Sequence, residues 1–437
     1  MAINLKAKEA TSIINSLLGG VAPSIGVQHI TVGRKSEVDA FVKSLDEVKA
    51  GHSLAKFWIG DFGSGKSFML HLINTVAIRQ KFVVANADFT PDTRLYANDG
   101  KAVALYTALV DNLATQTKPE GGALPNLLEK WIEKAVTDAA AQEGTSPDKM
   151  PDRAHEPAVR RAITKSISDI TEVGAFDFTN VVMKYYEGYI HQDEQRMKNA
   201  IRWLKGEYRS RIEARQDLGV RDIIDDQNYY DMLKNLGKLV VSMGYSGLMV
   251  NLDEAINLYK IGTSAMRERN YEKLLTIYND CLQGKVQHLF FNFAGTTEVL
   301  ENERRGLFSY AALKSRLETN QYETAEFRDF AQPVIRLMPL NHEEIYLLLN
   351  KLKEIFDFHY KTNTDFTPED IQSFMEIMFN KPGASDFLTP REVIRGFLNI
   401  LNVLRQNPRA NKEALVGDIE IKDERPADEL PNSIEVL

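Results

Sequence analysis

Two short stretches carry residue types and spacings suited to phosphate chemistry. The first, Gly60-Asp61-Phe62-Gly63-Ser64-Gly65-Lys66-Ser67, has the G-x-x-x-x-G-K-S spacing of a phosphate-binding loop, with Phe68 next in line. Its glycines let successive backbone N–H groups turn toward phosphate oxygens, at the start of a helix whose N-terminus favours negative charge. Lys66 has the reach for the β- and γ-phosphates, and Ser67 offers its hydroxyl to Mg²⁺. The second stretch, Gly247-Leu248-Met249-Val250-Asn251-Leu252-Asp253-Glu254, is an apolar run that ends in adjacent acids. Asp253 is placed to hold Mg²⁺ through water, and Glu254 to polarise an attacking water. Many buried strands end in carboxylates, so this second pattern gains its meaning from the loop upstream. Together they imply a nucleoside triphosphate and Mg²⁺, and the chain has no guanine-reading Asn-Lys-x-Asp stretch.

The elements around the two stretches are those such a site requires. Leu54-Ala55-Lys56-Phe57-Trp58-Ile59 reads as a buried strand and Phe68-Met69-Leu70-His71-Leu72-Ile73 as the start of an apolar helix. Strand, glycine turn and helix is the setting in which the loop motif is believable. Further strands are expected over 81–87, 247–252, 288–294 and 333–337, giving an α/β P-loop NTPase core of five parallel strands. Helices are expected near 5–18, 36–48, 101–117, 122–141, 156–172, 176–192, 193–216, 227–243, 266–283, 367–380 and 390–406. The organisation read from this is an N-terminal, adenine-side segment (1–50), a first core part (51–120) and a helical insertion (121–240). A second core part (241–340), a C-terminal helical lid (341–415) and an acidic flexible tail (416–437) follow. Gly144, Pro147, Pro151 and Pro157 make 142–157 a loop and insertion boundary.

The 437 residues suit two or three domains, and 43% apolar residues suffice for a core. A net charge of −8 argues against whole-surface nucleic-acid binding, though not against a local basic patch. The single cysteine, Cys281, excludes an internal disulfide framework and suits a reducing cytosol. No signal peptide or membrane-crossing apolar run is visible, so a cytoplasmic location is expected. The scattered histidines give no structural metal pattern. Cys281 and His288 read as packing residues.

Ile30-Thr31-Val32-Gly33-Arg34, followed by an amphipathic helix, resembles the N-terminal segment of AAA+ ATPases, which packs on the adenine. An ordinary helix-initiating turn explains Gly33-Arg34 equally well. The AAA+ (ASCE-type) resemblance supplies further candidates. Thr296 or Thr297, at the end of the fourth strand, stands where such proteins keep a water-orienting polar residue. Arg304, Arg305 and Arg316 stand where a subunit offers an arginine finger to its neighbour, which implies a homo-oligomer. Arg391, in the capping box Thr389-Pro390-Arg391-Glu392, stands where the lid carries a second sensor arginine, with Arg395 one turn on. A surface ion pair or a solvated first-turn arginine is the ordinary alternative for each.

Most of the chain, the acidic tail excepted, resembles the ATP-binding protein family of BREX-type phage-defence systems, which shares its ATPase type with the large BREX ATPase. The resemblance rests on Gly60 to Ser67, Ala200-Ile201-Arg202-Trp203-Leu204-Lys205-Gly206-Glu207 and Asn270-Tyr271-Glu272-Lys273-Leu274-Leu275. It rests as well on Asn279-Asp280, Gln283-Gly284, Arg305-Gly306-Leu307-Phe308-Ser309-Tyr310 and Leu388-Thr389-Pro390-Arg391-Glu392. It implies ATP hydrolysis with ATP and Mg²⁺ in a bacterial defence or stress-response system, often beside a DEAD/DEAH-type helicase. DNA and that helicase stand as candidate partners, and a slow nucleotide-dependent switch that assembles a defence complex is the alternative. The stretch 196–221, with Arg196, Lys198, Arg202, Lys205, Arg209, Arg211 and Arg215 around Trp203 and Tyr208, is the candidate nucleic-acid surface. Glu207, Glu213, Asp217 and Asp222 in the same stretch favour a solvated helix face instead.

Overall fold

The computed structural model describes residues 5–149, 156–168, 170, 174–324, 327–381 and 389–417. Part of the loop expected over 142–157, Leu388 and the expected tail from 418 onward lie outside the described residues. The chain divides into two compact units, one of 40–58 and 76–335, the other of 1–39, 59–75 and 336–437.

The first unit is built on a five-stranded parallel sheet. Its strands are β1 (Leu54–Ile59), β2 (Val83–Asp88), β3 (Leu248–Asp253), β4 (Leu289–Gly295) and β5 (Val334–Arg336), in the order β2-β3-β4-β1-β5. Every residue of β4 is buried, as are five of the six in β3, so these strands read as continuous apolar runs rather than alternating ones. The exceptions inside those runs are asparagines. Asn86, Asn251 and Asn292 are direct register partners across β2, β3 and β4. Buried amides must be hydrogen-bonded, and these three form a chain. Trp58 Nε1 donates to Asn292 (2.9 Å), Asn292 Nδ2 to Asn251 (2.9 Å) and Asn251 Nδ2 to Asn86 (3.0 Å). A slip of β3 by one residue would break both bonds between the asparagines, so the ladder pins the register.

Two sequence expectations are corrected here. The helix expected to run to about 117 ends at Asp111, because Ala114 exchanges backbone hydrogen bonds with Val84 (3.0 and 2.7 Å) and covers the edge of β2. The single helix expected over 193–216 is two, Glu194–Leu204 and Arg211–Leu218. Gly206 has φ +73° at the break, and a Cβ there would lie 3.0 Å from Val103 Cγ2. Tyr106 and Thr107 donate to the carbonyls of Leu204 and Lys205 that a continuous helix would use. Three short helices, Ile256–Tyr259, Thr297–Glu301 and Ala311–Leu317, add to those expected.

The second unit is mainly helical. Helices Ala7–Leu18, His342–Tyr360, Pro368–Asn380 and Pro390–Gln406 enclose a core that includes Ile13, Ile14, Leu352, Phe374, Phe397 and Leu401. Three helix starts are fixed by capping boxes, Asn341 with Glu344, Thr367 with Asp370 and Thr389 with Glu392. Among the described residues no helix is long and apolar enough to cross a membrane.

Candidate functional site

The glycine-rich segment lies in the second unit and opens the helix Lys66–Arg79. Gly63 (φ +79°) and Gly65 (φ +92°) occupy the left-handed region. A Cβ at Gly63 would sit 2.7 Å from Thr389 Cβ, and one at Gly60 would sit 2.5 Å from Ser64 Oγ. Side chains are therefore excluded where the backbone must turn and approach a ligand closely. Lys66 Nζ lies 2.9 Å from the carbonyl oxygen of Gly60 and 3.0 Å from that of Asp61. Asp61 is exposed, while Ser67 and Phe68 are half-buried in the first turn, Phe68 against the helical core. The Ser64 hydroxyl is buried and has no partner among the described residues. An orphaned hydroxyl inside a glycine cradle at a helix N-terminus fits the phosphate oxygens of ATP.

Arg34 fastens this loop. Its guanidinium is 6% exposed and donates to the carbonyls of Ser64 (3.1 Å) and Met338 (2.8 Å), with the buried Glu37 carboxylate 3.7 Å away. Gly33, at φ +64°, has no room for a side chain, since a Cβ would meet the Glu344 carboxylate. Here the residues expected beside the adenine support the loop backbone. Arg391 is the exposed second residue of the helix Pro390–Gln406, and its guanidinium lies 4.9 Å from the centroid of the Phe62 ring. That stacking offsets part of the unfavourable placement of a cation at a helix N-terminus. The second unit thus brings together the loop 60–68, Arg34 and Arg391.

The acidic pair lies in the first unit, at the carboxyl end of β3. Glu254 is exposed and held at φ +57°, with its backbone N–H donating to Asp253 Oδ1 at 2.8 Å. A non-glycine residue in this region costs about 1–3 kcal/mol, and such strain collects at functional sites. The next residue, Ala255, donates to the Ala294 carbonyl at the end of β4 (3.1 Å), which locks the turn. Thr296 is 9% exposed and caps the helix Thr297–Glu301, its Oγ1 accepting from Val299 N–H at 3.4 Å. Its hydroxyl hydrogen has no partner among the described residues.

One carboxylate escaped the sequence reading. Asp88 ends β2 directly beside Asp253 in the register. Desolvation first and the Asp253 charge second raise its pKa above the ordinary value. The available signal was an acid closing an otherwise apolar strand, the feature that marked Asp253.

The finger candidates are separate in their surroundings. Arg305 is half-buried, donates to the carbonyls of Tyr259 and Ile261 and lies over the Tyr259 ring. Arg316 is exposed and donates to Asn279 Oδ1 (3.0 Å) and to the Ala312 carbonyl (2.7 Å). Arg304 is exposed, with its guanidinium unpaired among the described residues. The resemblance-bearing Asn270 is fully buried and clamps the backbone of Tyr96, while Tyr271 donates to the Arg305 carbonyl. In the insertion, Arg202 pairs with Glu213, Lys205 with Asp111 and Arg211 with Asp222. Trp203 and Tyr208 are 1% and 2% exposed, so these rings belong to the core, while Arg196 and Lys198 are also paired with carboxylates and Arg209 and Arg215 are exposed.

A protein-family model described as BREX system ATP-binding protein BrxC/D matches residues 5–420. No curated protein matches the chain.

Proposed function

The chain belongs to the BREX system ATP-binding family, and on that premise we propose that it is a Mg²⁺-dependent, AAA+-type ATPase of that system. The observation that carries the reading is the left-handed glycine cradle opening the helix Lys66–Arg79, with the orphaned Ser64 hydroxyl inside it. In this reading Lys66 holds the β- and γ-phosphates, and Ser67 and Asp253 are the residues that hold Mg²⁺. When bound, the metal draws charge from the phosphate oxygens. Glu254 accepts the proton of the attacking water, from a strained backbone position of the kind that gathers at functional sites. The Thr296 hydroxyl hydrogen orients that water. Arg391 contacts the γ-phosphate, and an arginine of a neighbouring subunit (Arg316, Arg304 or Arg305) offsets charge on the transferred phosphoryl group. The C-terminal helices act as a lid, and turnover drives a conformational step on DNA or a helicase partner.

The test is steady-state phosphate release with Mg²⁺ by wild type and Glu254→Gln, alongside equilibrium ATP binding. Turnover that the glutamine variant loses while still binding ATP is the expected outcome. Tight binding with negligible wild-type turnover, with and without DNA, refutes the motor and leaves a nucleotide-dependent switch.

A further inference from the structure

A cavity of about 430 Å³ opens at the amino-terminal edge of the sheet, within the first unit and at the edge opposite Asp253 and Glu254. It forms where the helices Lys35–Lys49, Lys66–Arg79 and Tyr229–Ser242 end, and Lys49, Arg79, Lys81, Tyr245 and His288 line it. No carboxylate lines it. Among the described residues the side chains of Lys49, Arg79 and Lys81 have no hydrogen-bond or ion-pair partner. The Tyr245 ring likewise has no ring or hydrogen-bond partner, whereas the half-buried His288 ring is held by Nδ1 against the Val48 carbonyl at 3.1 Å. In a chain of net charge −8, three uncompensated cations in one concavity are an exception to the overall balance.

Cations near helix C-termini ordinarily answer the terminal carbonyls. Here many of those carbonyls are already taken. Gln80 and Phe82 N–H groups cap the Ala77 carbonyl, Ser246 bonds the carbonyls of Gln80 and Lys81, and Lys134 takes that of Ser242. The charges of Lys49, Arg79 and Lys81 are therefore directed at the cavity rather than at backbone. Two of the five described non-glycine residues with positive φ, Lys81 (+63°) and His288 (+58°), line this one cavity. Glycine would adopt that backbone without strain, and strained side-chain-bearing residues gather at ligand clamps.

We propose that this cavity binds phosphorylated nucleoside, with the cations on phosphate and a base stacked on Tyr245. The source is either a single-stranded nucleic acid or a free mononucleotide, and the volume suits one or two nucleotides. The test measures fluorescein-labelled dT20 binding by anisotropy across NaCl concentrations, with dTMP as competitor, in a Lys66→Ala background that silences the glycine loop. Lys49→Gln/Arg79→Gln/Lys81→Gln should weaken dT20 at least about tenfold and flatten the log–log salt slope by about 2. Tyr245→Leu should weaken it about fivefold or more with the slope unchanged. Lys81→Gly, which relieves the backbone while removing a charge, should raise the melting temperature yet weaken binding, so loss of fold cannot explain the result. Competition by millimolar dTMP with the same cation dependence assigns the site to the free nucleotide, and its absence assigns it to the strand. Failure of both ligands to bind, or binding indifferent to these substitutions, overturns the proposal.

Discussion

Replacing Arg34 by methionine separates two jobs that one buried guanidinium does. It loses the bonds to the carbonyls of Ser64 and Met338, and it deprives Glu37, 3% exposed, of the cation 3.7 Å away. Breaking a buried pair on one side costs about 3–5 kcal/mol of stability, because a desolvated charge is left behind. Replacing Glu37 as well, with leucine, removes that charge and should recover most of the loss. The Ser64 contact is different in kind. A charge-assisted bond is worth about 1.5–3 kcal/mol, and if ATP must now order the loop backbone itself, affinity should fall about ten- to a hundredfold. That loss should persist in the Arg34→Met/Glu37→Leu protein. Urea melts give the stability terms and titration with a fluorescent ATP analogue gives the affinity. Wild-type affinity in the double variant would refute the view that Arg34 shapes the loop. A double variant no more stable than Arg34→Met would refute the charge argument.

Asn292→Leu should cost about 2–4 kcal/mol in urea unfolding, since it strands the Trp58 indole N–H and the Asn251 amide oxygen inside the sheet. A change under half a kcal/mol would mean the ladder is not a register device. Asp88→Asn should stabilise the protein at neutral pH. The Asp88 pKa is raised in the folded state, so the native protein binds its proton more tightly than the unfolded chain. Its contribution is intact below the unfolded carboxylate range and is lost as pH rises through the folded value. The advantage of the asparagine variant should therefore vanish in acid, and a pH-independent difference would exclude repulsion from Asp253. Burial pushes the Cys281 thiol up to about 12, so an aromatic disulfide reagent should leave it unreacted until the protein is unfolded. Rapid labelling of native protein would contradict that.

The loop 60–67, the acid-ended strand and the capping box at Thr389 were legible because each is local. A phosphate loop is a run of backbone conformations that particular glycines permit, and a capping box is two side chains bonding their own turn. Family membership was legible for the same reason, as residue types at fixed spacings. What needed the tertiary structure is everything that depends on partners far along the chain. Asn86, Asn251 and Asn292 look like isolated polar intrusions until the parallel register aligns them into a ladder. Asp88 becomes an acid beside an acid only when β2 pairs with β3. The basic run over 196–221 matches a nucleic-acid surface by composition, but folding gives carboxylate partners to Arg196, Lys198, Arg202, Lys205 and Arg211 and buries Trp203 and Tyr208. Lys49, Arg79 and Lys81 carry no motif, and only the convergence of three helix ends gathers them around one cavity. Local chemistry is written in spacing, whereas register, pairing and burial are set by which distant segments the core brings into contact.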